Sequence, residues 1–269
     1  MGTANSVLRI SLILILFVPG CLDYDPGDPL IRESEEYLGS DSTNPLIWEP
    51  EEYQPVEFNS LRIIFVIDGS QSMAATDPTA GRVRATEQIV WEYASNPEAE
   101  FGLIRFDGHA TGLTARDGPD TLFTRDRRTL IPALAELDQS EGNTNYESAL
   151  EMAKEAIELR LQNETHHSLA NASYHLVFLS DGLPFPMDHD TQFNTPDRIL
   201  QLVGQIAWLR EFYGAGSIKL HFAYLNRNTP DAIAQPVAAL HRELAAKGGG
   251  DYLEFGSSRE INFSSIDFR

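Results

Sequence analysis

Cysteine is almost absent: a single residue, Cys21, in a chain of 269. A disulfide within the chain is therefore excluded, and so is a zinc site of the multi-cysteine type. Basic residues are also scarce, 20 Lys and Arg against 40 Asp and Glu, for a formal net charge of −20. A surface of that sign repels phosphate backbones and anionic headgroups, which argues against a nucleic-acid partner. The apolar run Ile10 to Val18 falls well short of the ~20 residues that a permanent membrane-spanning helix needs. Internal repeats and low-complexity tracts are missing as well. What is present, 42% apolar and 22% charged residues, suits one or two ordinary globular domains with a sizeable core.

The N-terminus has the layout of a signal peptide: Arg9, the apolar run, then Pro19-Gly20-Cys21. Its ending, Val18-Pro19-Gly20-Cys21, resembles the lipobox of bacterial lipoproteins. That resemblance implies cleavage after residue 20, a diacylglycerol on Cys21, and a domain anchored to a membrane of the cell envelope. Leu22 follows the cysteine in place of an aspartate that retains some lipoproteins at the inner membrane, which tilts the expectation to the outer membrane. An ordinary secretory signal with an incidental cysteine is the other reading. Residues 22–60 hold five prolines, eleven acidic residues and one Arg, with no sustained periodicity, and read as an extended tether. Alternatively, Pro45 to Phe58, with Trp48 and Tyr53, packs on the domain as an ordered arm. The expected division is a signal over 1–20, a tether over 21–60, one domain over 61–256 and a C-terminal tail over 257–269.

Within the domain, Arg62 to Ile67 is a β-branched apolar run without polar alternation, the pattern of a strand buried on both faces of a parallel sheet. Further strands are expected at 101–106, 175–179, 218–224 and 252–255. Between them lie amphipathic stretches at 83–94, 130–137, 146–161, 196–213 and 234–246; Tyr146, Ala149, Leu150, Ala153, Ile157 and Leu161 follow helical spacing. This alternation predicts an α/β fold, an open, mostly parallel, doubly wound sheet with helices on both faces. Gly248-Gly249-Gly250 is expected to end the last helix before the final strand.

The first strand runs into Asp68-Gly69-Ser70-Gln71-Ser72. Residues two apart in an extended loop point the same way, so a carboxylate and two hydroxyls can face one point. A later strand ends in Ser180-Asp181-Gly182, and the polar loop Gly142-Asn143-Thr144-Asn145 lies between the two. Ligands of open α/β sheets collect at the carboxyl ends of the strands. All five side chains are hard oxygen donors, suited to Mg²⁺, Mn²⁺ or Ca²⁺.

This order, Asp68-x-Ser70-x-Ser72, then Thr144, then Asp181, resembles the metal-ion-dependent adhesion site of von Willebrand factor type A domains. The resemblance spans about Leu61 to Phe255 and implies a fold like that family's doubly wound sheet. It implies that Ser70 and Ser72 bind the ion directly, that Thr144 binds directly or through water, and that Asp68 and Asp181 bind directly or hold coordinating waters. Mg²⁺ is the implied ion, with Mn²⁺ or Ca²⁺ as substitutes, and the sixth position is left for a carboxylate of a protein partner.

An EF-hand beginning at Asp68 fails, because its sixth position is Met73 and its twelfth Thr79. A nucleophilic-serine elbow is absent, since Ser70 and Ser72 lack the Gly-x-Ser-x-Gly frame. Asp188-His189-Asp190 reads as an exposed acidic loop and His166-His167 as a solvated turn. The expected function is a non-catalytic, metal-dependent protein-binding lipoprotein. The alternative is a metal-assisted hydrolase using Asp188 or His189 on the same ion.

Overall fold

The computed structural model describes residues 60–116, 118–227 and 231–268. The expected signal segment, Cys21 and the tether up to residue 59 lie outside the described residues. Six strands are present among those described: β1 (Ser60–Asp68), β2 (Ala99–Phe106), β3 (Ala110–Gly112), β4 (Ala172–Ser180), β5 (Ser217–Leu225) and β6 (Gly249–Phe255). They form one sheet in the order β3-β2-β1-β4-β5-β6. Each neighbouring pair is parallel except β2 and β3. The helices are α1 (Met73–Thr76), α2 (Gly81–Tyr93), α3 (Arg127–Glu136), α4 (Tyr146–Gln162), α5 (His166–Ala170), α6 (Pro196–Tyr213) and α7 (Asp231–Gly248).

All residues of β1 and β4 are buried, which explains why their sequences are apolar without alternation. Successive side chains nonetheless serve opposite faces. Ile64 and Val66 pack with Ala149, Leu150 and Ile157 of α4, with Ile199, Leu202 and Val203 of α6, and with Leu240 and Leu244 of α7. Ile63, Phe65 and Ile67 pack on the other face with Ala85, Ile89 and Val90 of α2 and with Leu130, Ala133 and Leu134 of α3. The doubly wound α/β architecture expected from the sequence is thus present. Ile261, Phe263, Ile266 and Phe268, from the segment after β6, are buried in this second cluster. Phe263 lies 5.9 Å from Phe65 between ring centroids, and Phe268 lies 5.7 Å from Tyr93.

Helix starts follow local chemistry. Asn145 caps α4 by accepting from the Ser148 N–H, and Thr195 caps α6 ahead of Pro196 by accepting from the Arg198 N–H. Helix α7 ends at Gly248 and β6 begins at Gly249 with no loop between them. A β-carbon on Gly250 would stand 2.3 Å from the Leu220 carbonyl oxygen, so only glycine fits against β5 there.

The order of the strands positions the site. From β1 the chain moves outward to β2 and β3, then returns to place β4 on the opposite side of β1. The crevice at the carboxyl ends of β1 and β4 is therefore the topological switch point, where ligands of open α/β sheets bind. Asp68 is the last residue of β1, and Asp181 follows the last residue of β4.

Candidate metal centre

The loop after β1 is held to its neighbours by main-chain hydrogen bonds. The Gly69 N–H donates to the Phe106 carbonyl (2.7 Å), the Glu141 N–H to the Gly69 carbonyl (2.7 Å) and the Gln71 N–H to the Gly142 carbonyl (3.3 Å). A β-carbon on Gly69 would lie 2.8 Å from Arg105 Cγ, so glycine lets the loop sit this close to β2. Asp68 Oδ1 accepts from the Ser70 N–H at 2.7 Å, which turns the chain so that Ser70 and Ser72 stand side by side, Oγ to Oγ 3.0 Å.

Asp181 is drawn into this group from β4. The Ser72 hydroxyl donates to Asp181 Oδ1 (2.8 Å) and the Thr76 hydroxyl to Oδ2 (2.5 Å). Ser72 stands at the N-terminus of α1 yet makes no capping bond with its side chain, which leaves the hydroxyl free for this contact. The Ser180 hydroxyl donates to Asp68 Oδ2 (2.5 Å) and so links the two strand ends a second time. Thr144 is buried and joins the group through its main chain, exchanging two hydrogen bonds of 2.9 Å with Phe185 in the loop that follows Asp181. Hydrogen bonds thus connect Asp68, Ser70, Ser72 and Asp181 directly, while Thr144 is positioned by a bridge between neighbouring loops.

Burial, and after it the negative charge of Asp181, pushes the Asp68 carboxyl up to about 7, against the hydrogen bonds from Ser180 and Ser70. Burial raises Asp181 as well, opposed by the hydroxyls of Thr76 and Ser72. Tyr146 is raised well above the ordinary phenol range by burial and by the nearby Asp68 carboxylate. Its hydroxyl donates to the Gly182 carbonyl at 2.6 Å and lies 2.8 Å from His241 Nε2.

These residues fit a hard divalent cation on three counts. Two buried carboxylates share the site, and among the described residues neither forms an ion pair, so a positive charge is what the pair lacks. The Ser72 proton is already taken by Asp181 and one lone pair faces the Ser70 hydroxyl, so the second lone pair of its oxygen remains for an ion. The donors are all oxygens. Among the described residues no cluster of three or more His, Cys, Asp and Glu is found, so an ion here would rest on two carboxylates and hydroxyls.

Two members of the group escaped sequence reasoning. Ser180 matters because β4 lies beside β1, a tertiary fact. Thr76 stands one helical turn after Ser72, a spacing that can be read only once α1 is known. Arg82 is a third supporting residue. Its guanidinium donates to the Leu137 and Asp138 carbonyls and the Ser140 hydroxyl, each at 2.8 Å, and pairs with Asp77 at 3.1 Å with both side chains buried. It thereby fixes the segment just before Glu141 and Gly142. Asp188 lies apart: its carboxylate accepts from the Asp190 N–H (2.9 Å) and the Thr191 hydroxyl (2.8 Å), bonds that hold it below the usual carboxylate range.

Fold and donor set together define an open α/β domain with an oxygen-lined candidate cation site at its switch point. The family model of the von Willebrand factor type A domain matches residues 63–183, from within β1 to just beyond Asp181. No curated protein sequence matches the chain significantly. Among solved structures, the PilB minor pilin of Streptococcus sanguinis is similar at 15% identity and a TM-score of 0.48, over 74% of this chain and 57% of that one. The chain thus spans little more than half of PilB. The conserved hypothetical protein BatB of Bacteroides thetaiotaomicron gives 14% identity and 0.49, over 74% of this chain and 91% of its own. Manganese-loaded TRAP protein of Plasmodium vivax gives 15% and 0.45, over 68% and 64%.

Proposed function

We propose that this chain is a non-catalytic protein-binding module whose contact with its partner runs through a divalent ion. Ser70, Ser72 and Thr144 would hold the ion through hydroxyl oxygens, and Asp68 and Asp181 directly or through ordered water, with Mg²⁺ as the ion and Mn²⁺ or Ca²⁺ able to replace it. The observation that carries this reading is the hydrogen bond from Ser72 to Asp181, which joins the donors of β1 and β4 around two buried carboxylates without a basic partner. A protein shell of hydroxyls and few charges leaves an ion electrophilic, so an open coordination position favours a carboxylate. The partner would supply it from an Asp or Glu side chain. The domain would stand in the cell envelope, periplasmic or surface-exposed, tethered by a lipid on Cys21, with the outer membrane favoured. Among the described residues no helix is long and apolar enough to cross a membrane.

The hydrolase alternative, which would use Asp188 or His189, gains nothing from Asp188, whose carboxylate is engaged within its own turn. The test is capture of partners from envelope extract with Mg²⁺ and with chelator, using the wild-type chain and Thr144→Ala. Capture that needs Mg²⁺ and weakens in Thr144→Ala supports the reading. Equal capture under all conditions places any interface elsewhere.

A further inference from the structure

The loop between β4 and α6 carries three of the seven large apolar side chains that stand exposed among the described residues. Phe185 is 61% exposed, Met187 39% and Phe193 37%. The main chain that carries them is pinned. Thr144 and Phe185 exchange both main-chain hydrogen bonds, and the Asp188 N–H donates to the Phe193 carbonyl at 2.9 Å. Asn194, fully buried in a left-handed conformation, donates from its amide to the Thr144 carbonyl (3.2 Å) and the Pro186 carbonyl (3.0 Å). Its main-chain N–H donates to Glu147 (2.6 Å), and Glu147 in turn pairs with Arg198 at 2.8 Å. A loop held at so many points presents its apolar groups without a further ordering cost, the condition under which an exposed patch marks an interaction site.

The register places this patch beside the candidate ion. Residues directly opposed in an antiparallel bridge project to the same side, with β-carbons about 4.5–5.5 Å apart. Thr144 and Phe185 are such a pair, so the ring of Phe185 is the cross-strand neighbour of a candidate ligand. Resting on the reading of the ion site given above, we propose that Phe185, with Met187 beside it, forms an apolar wall that selects the partner: an exposed loop whose ion-binding Asp or Glu has a large aliphatic or aromatic side chain within two residues. In an extended peptide, neighbours one and two positions away lie roughly 3.4 and 6.8 Å along the chain, the span that a phenylalanine ring beside the ion can cover. The exposed acids of the same loop, Asp188 and Asp190, disfavour further acidic residues in the partner.

The probe is an immobilised library of heptapeptides with a central Asp or Glu and all other positions randomised, incubated with the described domain in its full chain, with Mg²⁺ or with chelator. Folding and ion loading of each variant are read separately from the melting shift caused by Mg²⁺ alone. Enrichment of Leu, Ile, Met, Phe or Trp within two positions of the carboxylate in Mg²⁺ is expected. Phe185→Ala should weaken the selected peptides by about tenfold or more, and Met187→Ala by less. Mg²⁺-dependent retention without apolar enrichment, undiminished in Phe185→Ala, overturns the apolar wall and leaves the carboxylate reading standing. Retention indifferent to chelator, or no retention, overturns both.

Discussion

Replacing Asp77 by Asn should destabilise the domain severely and loosen the candidate ion site, although Asp77 is not one of the proposed ligands. The Asp77 carboxylate accepts from the Gly81 N–H (2.6 Å), the Arg82 N–H (3.1 Å) and the Arg82 guanidinium (3.1 Å), and also from the Ser258 hydroxyl. Both members of the ion pair are excluded from water, with side chains 0% and 1% exposed. Removing one charge leaves the guanidinium buried without its counter-ion, which costs roughly 3–5 kcal/mol. For a domain of roughly 150–250 residues each kcal/mol moves the melting temperature by about 2–4 °C, so a fall of about 6–20 °C is expected. Arg82 also holds the 137–140 segment, whose continuation bonds to Gly69 and Gln71, so Mg²⁺ affinity should fall in the same variant. Melting followed by circular dichroism, with and without Mg²⁺, measures both effects. The paired change Asp77→Leu with Arg82→Met removes the orphaned charge and should recover much of the stability but not the ion affinity. A loss below about 2 °C in Asp77→Asn would refute the reasoning.

Three further outcomes are expected. Burial pushes His175 and His241 down to about 3 and His221 to about 4, the last against the pull of Asp251. A histidine lowered on folding keeps the fold stable above its unfolded value near 6.5 and withdraws that stability as pH falls from there toward its folded value. At pH 5 each therefore costs roughly 2 kcal/mol. Asp68, raised in the ion-free fold, works in the opposite direction between about 7 and 3.8. The histidine contribution should accordingly be read by urea denaturation as the flatter acid slope of His241→Gln relative to wild type; equal slopes would contradict it. Gly250→Ala places a methyl group against the Leu220 carbonyl and should cost about 1–3 kcal/mol by the same assay. Cys21→Ser should block processing or release a soluble domain, because two acyl chains at ~0.8 kcal/mol per CH₂ anchor stably; membrane fractionation decides it.

Much of the fold is legible where a local pattern determines the structure. The apolar run at 62–67 became β1 because both faces of that strand are covered, and the spacing from Tyr146 to Leu161 became α4 within one residue of the expected end. Helix α7 starts at Asp231, three residues before the expected start, with Pro236 inside it. Strand β3 was not visible, because three half-buried residues at a sheet edge carry no period. Helices α1 and α5, of four and five residues, are too short for an amphipathic pattern, and α5 replaces the turn expected at His166-His167. Four of the five candidate ligands are legible as polar residues at or just after the ends of buried strands, and Thr144 as part of the polar loop that enters α4. Their support is not, since the Ser180 contact needs β1 and β4 side by side and the Arg82 bonds join segments 55 or more residues apart. The exposure of Phe185 is likewise a property of the folded loop, not of its composition.

The central claim, that Asp68, Ser70, Ser72, Thr144 and Asp181 hold a divalent ion, is tested most directly by the melting temperature of the full chain as Mg²⁺ is titrated. A ligand that binds only the folded state at about a hundred times its dissociation constant adds ~2.7 kcal/mol, a rise of about 5–11 °C for a domain of this size. That rise is expected in the wild type and should vanish in Asp181→Asn and shrink in Ser72→Ala. The same rise in the wild type and both variants, or none in any of them with Mg²⁺ or Mn²⁺, would contradict the account.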